Sequence, residues 1–221
     1  MKQNSSKYLW GAAVFFLIAA ALVSVYFQDG FGAFDQAGFA LAKEARSDEL
    51  TIVLTVLTGL GGTKAIVALS GLLVLWLYWR GYRREAVIVA IVMLGAACMN
   101  EGMKNSFARE RPVGHNLIAR PDSYSFPSAH AMVSSVYYAI LASLLPLMIP
   151  RSWAKWAAPL LYLLIVAIIA SRVYLGVHFP SDVTTGACFA AGWYFLFRFA
   201  RAKWGEAGKA SYYPTFASSQ K

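Results

Sequence analysis

A series of near-continuous apolar runs constrains this chain more than anything else in it. Tyr8 to Phe27 is the first. At about 20 residues it is long enough to cross a bilayer as a helix. Further runs are Thr51–Trp79, Ala86–Met103, Ser128 to about Ile149, Trp156 to about Ser171, and Asp182–Phe199. Hydrophobic residues make up 58% of the chain and charged ones only 14%, too few charges to cover a soluble domain of this size. The expected fold is therefore all-α, an integral membrane bundle of six transmembrane helices.

Lys2 and Lys7 precede the first run, as in a signal peptide, but no cleavage site stands out after it, and it reads as an uncleaved span. Thr51–Trp79 is too long for one straight crossing. Gly59, Gly61 and Gly62 break it into an outer extension, Ile52–Leu60, and a main span, Ala65–Trp79. Lys64, just past the break, is expected to reach the lipid headgroups. Between the first two runs, Gln28–Glu49 is a mixed loop with Asp29, Asp35, Glu44, Asp48 and Glu49 against Lys43 and Arg46. Phe31, Phe34 and Leu41 fit one face of a short surface helix, with Phe39 off that face. The loop is expected to be an interfacial segment without chemistry. Cys98 and Cys188 sit inside apolar runs with no metal-ligand spacing and are expected to be small buried residues.

The formal charge is +9. In a soluble protein that would suggest nucleic acid; here it is first tested against the excess of Lys and Arg in cytoplasmic segments. Six spans place both termini on one side. The termini and the turns on that side, including Arg80, Arg83, Arg84, Arg151 and Lys155, carry the larger share of basic residues, so that side is read as cytoplasmic. Residues 1–210 read as one domain, with no repeat and no appended soluble unit, and 211–221 as a disordered cytoplasmic tail.

On the opposite side three polar stretches breach the charge rule: Lys104 to Pro112, Ser125 to His130, and Ser171 to Asp182. Charged groups at a hydrocarbon boundary are costly and point to a functional site. Lys104, Arg111 and Arg172 supply cations, two of them guanidinium groups suited to paired phosphate contacts. Pro127-Ser128 reads as a helix start with Ser128 at or near the N-cap, leaving free N–H groups for an anion. His130 lies in that first turn. His178 precedes Asp182 by four residues, across a second helix start at Pro180-Ser181, and a carboxylate there would fix its tautomer. Two histidines and an anion-binding cluster suit phosphoryl transfer with a histidine nucleophile. Arginines can stabilise the equatorial oxygens without Mg²⁺, and no carboxylate cluster in these stretches would hold a metal. Arg109, His115 and Arg120 belong to the same loops and read as solvated or substrate-contacting. Glu101 is expected to pair with Lys104 at i, i+3.

At these residues the chain resembles the type-2 phosphatidic acid phosphatase superfamily, whose pattern is KxxxxxxRP, PSGH and SRxxxxxHxxxD. Lys104 to Arg111-Pro112 and Ser171-Arg172 through His178 to Asp182 match fully. Pro127-Ser128-Ala129-His130 carries alanine where the family usually has glycine, which restricts positive φ and adds a methyl group. The resemblance implies His178 as nucleophile forming a phosphohistidine, Asp182 orienting it, and His130 as general acid. It implies that Lys104, Arg111, Ser128, the Ala129 N–H and Arg172 bind the phosphate. It also implies a metal-independent enzyme, without cofactor, acting on lipid phosphates at the outer leaflet of a bacterial cell membrane. The candidates are phosphatidylglycerophosphate, phosphatidic acid, diacylglycerol pyrophosphate and undecaprenyl pyrophosphate, with the first slightly favoured. Two other readings share the cage. Vanadium haloperoxidases hold vanadate similarly but are soluble. A lipid-phosphate binder or transporter would need no nucleophile.

Overall fold

The computed structural model describes residues 5–211, with side chains described as far as Trp204; the expected tail, apart from Ser211, lies outside these residues. Among the described residues the chain is entirely helical. In order come α1 (Ser6–Phe27), α2 (Gly32–Glu44), α3 (Asp48–Gly59), α4 (Thr63–Trp79), α5 (Arg83–Phe107), α6 (His130–Met148), α7 (Arg151–Tyr174) and α8 (Pro180–Ser211). In lipid every backbone polar group must be satisfied within its own segment, which helices achieve. Among the described helices, α1, α5, α6 and α7 are each long and apolar enough to cross a membrane. The pair α3 and α4, bent by 45° at the glycine break, makes a fifth candidate.

Helix α8 is not among those candidates, and its setting explains why. It packs against α1, α2, α5, α6 and α7, so protein rather than lipid surrounds much of it. Asp182, Val183, Thr185, Phe189, Ala190 and Phe197 on it are all buried. A helix enclosed by other helices can carry polar residues that a lipid-facing one cannot. Small residues allow the close approach. A Cβ at Gly186 would come within 2.9 Å of the Ser128 carbonyl oxygen, and one at Gly192 within 2.8 Å of Phe16. Phe15 of α1 stacks on Phe195 of α8 at 5.7 Å.

Local chemistry sets where the elements begin and end. Ser47 caps α3, its hydroxyl accepting from the Leu50 N–H at 3.2 Å. Pro180 opens α8, where a missing N–H costs nothing. Gly81, at φ +83, closes the turn after α4, and Ala108, at φ 46, ends α5. Helix α6 opens with a π turn over His130–Ser134, a geometry frequent at functional sites.

The C-termini of α1, α5 and α7 and the N-termini of α4, α6 and α8 lie at one end of the bundle, where α2 packs on α7 and α8 and α3 packs on α7. Trp79, Trp153 and Trp156 are exposed at the other end, beside the basic turns Arg80–Arg84 and Arg151–Lys155, as in an aromatic interfacial belt. Cys188 is half-buried, but Cys98 is exposed on α5, against expectation. The run around it is apolar on all sides, so hydropathy could not separate a bundle-facing position from a lipid-facing one.

Candidate active site

All eight residues expected to form the site lie at this end of the bundle. Lys104 lies in the last turn of α5, Arg111 and Ser128–Ala129 in the loop that follows, and His130 at the start of α6. Arg172 lies in the last turn of α7, His178 in the connection, and Asp182 in the first turn of α8. The Ser128 N–H donates to the Asp182 carbonyl at 3.2 Å, tying the second and third stretches together. The His178 N–H donates to the Arg172 carbonyl at 3.3 Å, closing the turn after α7. His130 lies within electrostatic reach of Arg172, His178, Arg111 and Lys104.

His178 has one defined tautomer. Arg111 NH1 lies 3.0 Å from Nε2, and a guanidinium has no acceptor to offer. Nε2 must therefore carry the lone pair and Nδ1 the proton. Nδ1–H faces Asp182 Oδ2 at 3.3 Å. Burial, and then the Arg111 guanidinium, hold the imidazole well below its usual range, so it is neutral at neutral pH. Asp182 is fully buried, its Oδ2 also accepting from the Phe179 N–H at 2.9 Å. These contacts leave a neutral imidazole with its lone pair on the Nε2 side, directed at the cations.

The three cations are buried to within 6% of complete. Lys104 Nζ donates to the Tyr124 carbonyl. Arg111 donates from Nε to the Ser123 carbonyl at 2.7 Å and from NH1 to the Val177 carbonyl at 2.7 Å. Its NH2 reaches Ser123 Oγ at 3.1 Å and the Tyr124 carbonyl at 3.3 Å. Carbonyl oxygens of 123–124 thus sit on two of the cations. Arg172 NH1 donates to Thr58 Oγ1 at 2.8 Å, while its buried Nε has no acceptor among the described residues. A buried donor left unpaired is costly, and an anion would relieve it.

Two details concern the second motif. Ala129 has φ −63 and ψ −36, an ordinary helical conformation, so alanine in place of glycine needs no left-handed backbone. Ser128 Oγ accepts from the Ala131 N–H at 3.4 Å, as a cap would. The His130 ring packs on the α3–α4 break: a Cβ on Gly61 would lie 3.0 Å from its Cδ2 and 2.7 Å from Ile168. Glycine at 61 is what lets the break approach the ring.

Other expectations near the site need correction. Arg109 is neither solvated nor free: NH1 meets Asp182 Oδ1 at 2.5 Å and NH2 meets Asp35 Oδ2 at 2.8 Å. Asp35, placed above in a segment without chemistry, is buried on α2 with Phe39, while Phe34 and Leu41 are exposed. No motif marks Asp35, and its partners lie 74 and 146 residues away; a carboxylate inside an otherwise apolar helix face was the signal available. Glu101 makes no ion pair with Lys104 among the described residues, because Lys104 turns inward to Tyr124. Arg120 NH2 donates to the Arg111 carbonyl at 3.3 Å. His115 stacks on Phe39 at 4.2 Å, outside the cage. Lys64 is exposed in the first turn of α4.

A model of the PAP2 superfamily matches residues 85–205, more than half of the chain and all three stretches. The chain belongs to the PAP2 superfamily. It is accordingly an integral membrane enzyme of the phosphatase class. Phosphatidylglycerophosphatase B of Bacillus subtilis is 28% identical over 188 residues, covering 83% of this chain and 89% of that protein. An undecaprenyl-diphosphatase of Sulfolobus acidocaldarius is 26% identical, covering 81% and 84%. The crystal structure of a transmembrane PAP2-type phosphatidylglycerolphosphate phosphatase from Bacillus subtilis superposes with a TM-score of 0.76 at 24% identity. That superposition covers 94% of this chain and all of the other, and it shows a shared fold.

Proposed function

We propose that this chain hydrolyses a lipid phosphomonoester or pyrophosphate through a phosphohistidine on His178, without a metal. The observation that carries the reading is the tautomer of His178: its Nε2 lone pair is held among Lys104, Arg111 and Arg172 while Asp182 holds Nδ1–H. The substrate phosphate takes the Arg172 Nε, the N–H groups at the open start of α6, and the Lys104 and Arg111 donors as they leave the 123–124 carbonyls. Nε2 attacks phosphorus, and the bond to the leaving oxygen breaks. His130 gives that oxygen its proton. Water then attacks the phosphohistidine and passes a proton to His130; the N–P bond breaks and phosphate leaves.

Asp182 stabilises the imidazolium formed in the first step. The buried cations stabilise charge on the equatorial oxygens and would do this without Mg²⁺.

The membrane setting and the names of two relatives that match most of this chain support lipid substrates. Phosphatidylglycerophosphate is the first candidate and undecaprenyl pyrophosphate the second. The site end is read as facing away from the cytoplasm of a bacterial cell membrane, because the basic turns lie at the other end.

The test is phosphate release from a panel of lipid phosphates by the purified enzyme in detergent, with EDTA present and with His178→Ala in parallel. The reading expects EDTA-resistant release by the wild type and none above background by the variant. Release that EDTA abolishes would overturn the metal-free chemistry, and full activity in His178→Ala would overturn the nucleophile. No release from any lipid would favour a binder.

A further inference from the structure

Beyond the motif residues, a second layer fixes the carboxylate behind the nucleophile. We infer that Asp35 and Arg109 are positioning residues for the reaction: Arg109 clamps Asp182 in the orientation that holds His178, and Asp35 of α2 clamps Arg109 and the start of α8. The inference rests on the reading of His178 as nucleophile given above.

Arg109 bridges two carboxylates. NH1 donates to Asp182 Oδ1 at 2.5 Å and to Ser181 Oγ at 2.8 Å, and NH2 donates to Asp35 Oδ2 at 2.8 Å. The guanidinium cannot rotate away, because its carbon lies 3.9 Å over the Phe179 ring and 5.3 Å from the Tyr26 ring. Asp35 does more than balance its charge. Oδ1 accepts from the Ser181 N–H at 2.8 Å and Oδ2 from Ser181 Oγ at 2.8 Å. Ser181 is the second residue of α8, so its N–H is one of the four that an isolated helix leaves without partners. A carboxylate from a different helix caps it. The same face of α2 closes on α8 at Gly38, where a Cβ would overlap the Pro180 ring.

The division of oxygens gives this clamp a catalytic consequence. Asp182 has two: Oδ1 is taken by Arg109, and Oδ2 faces His178 Nδ1 and the Phe179 N–H. With Oδ1 anchored, the carboxylate cannot pivot and withdraw Oδ2 from the imidazole. When Nε2 bonds to phosphorus the ring becomes cationic, and Asp182 must meet that charge as an anion. Arg109 favours that ionised form, and Asp35 offsets the extra positive charge so that Arg109 does not cancel the attraction between Asp182 and His178. Arg109 holds Oδ1 of Asp182 and His178 faces Oδ2, so Arg109 acts on His178 through Asp182.

The experiment measures kcat and KM of the purified full chain with a lipid phosphate that the wild type hydrolyses. The variants are Arg109→Gln, Arg109→Lys, Asp35→Asn, Asp182→Asn, the Arg109→Gln/Asp182→Asn pair, and His178→Ala. Loss of carboxylate positioning should lower kcat of Arg109→Gln by on the order of 100-fold, with KM little changed. Arg109→Lys, keeping one charged donor, should recover part of kcat, and Asp35→Asn should lower kcat less than Arg109→Gln. In the Asp182→Asn background, Arg109→Gln should cost less than about threefold more, because the two act through one contact.

Three results would overturn the inference: kcat of Arg109→Gln near wild type, a rise in KM with kcat unchanged, or full multiplication of the two effects in the double variant. If Arg109→Gln fails to fold, Arg109→Lys and Asp35→Asn decide, and wild-type kcat in both overturns it. Full activity in His178→Ala would instead sink the underlying reading, so the two failures are distinguishable.

Discussion

Replacing Asp182 by asparagine tests the imidazole's tautomer with almost no change of volume. The carboxylate has a donor on each side: Arg109 NH1 at 2.5 Å from Oδ1, and the Phe179 N–H at 2.9 Å from Oδ2, with His178 Nδ1 at 3.3 Å. An amide has one oxygen to give. If the oxygen faces Arg109, the NH₂ group faces Nδ1. The imidazole is then driven to carry its proton on Nε2, where it meets Arg111 NH1 at 3.0 Å. If the oxygen faces Nδ1, the NH₂ group opposes the guanidinium. Both orientations leave a buried donor facing a donor, and the first also removes the nucleophilic lone pair. A comparable tautomer reversal in a serine protease triad costs about 10⁴-fold in kcat, or roughly 5.5 kcal/mol of barrier at 1.36 kcal/mol per decade. The expected loss in Asp182→Asn is on the order of 10³- to 10⁴-fold in kcat, with KM for the lipid phosphate little changed. Steady-state phosphate release in detergent reads both. A loss below tenfold would refute the tautomer argument.

Further outcomes follow from the same geometry. Gly176 has φ +69, and a Cβ there would overlap the His115 carbonyl; Gly176→Ala should cost at least ~1–2 kcal/mol from the left-handed backbone alone, read as a lower thermal midpoint in detergent. Arg172→Lys keeps the charge but loses the Nε donor that has no acceptor among the described residues, and kcat/KM should fall on the order of 100-fold; a change under threefold would remove Arg172 from the phosphate site. His178 is held neutral in the folded state, so below its unfolded value the unfolded chain binds a proton that the folded chain does not. Stability should therefore fall as pH drops below about 6.5, by up to ~1.4 kcal/mol per pH unit from this group, and His178→Gln should remove that part of the acid sensitivity in thermal melts. A cysteine placed at Asn116 should be labelled by an impermeant thiol reagent in intact cells; labelling only after permeabilisation would invert the orientation.

Much of this was legible in the sequence because the chemistry lies in short segments at span ends. His178 and Asp182, four apart across a helix start, meet as their spacing implied. The glycine break at 59–62 separated α3 from α4 where expected. The clamp behind Asp182 was not legible, because Asp35 and Arg109 come from separate segments and meet only when α2 folds over the bundle. Lys104 shows why local spacing can mislead: Glu101 lies on its own helix, yet burial at the bundle end turns the ammonium to the Tyr124 carbonyl. Ala129 is a different case. Glycine at that place in the motif suggests a special backbone, but the observed φ of −63 shows none is needed here.

The central claim is a covalent N–P bond at His178, and trapping it is the most direct test. The enzyme would be mixed with ³²P-labelled lipid phosphate, quenched within the first turnover under alkaline denaturing conditions that preserve phosphohistidine, and the labelled peptide sequenced. The account predicts label on His178, lost on acid treatment and absent from His178→Ala. Label on another residue, or none in a wild-type enzyme that turns over normally, would contradict it.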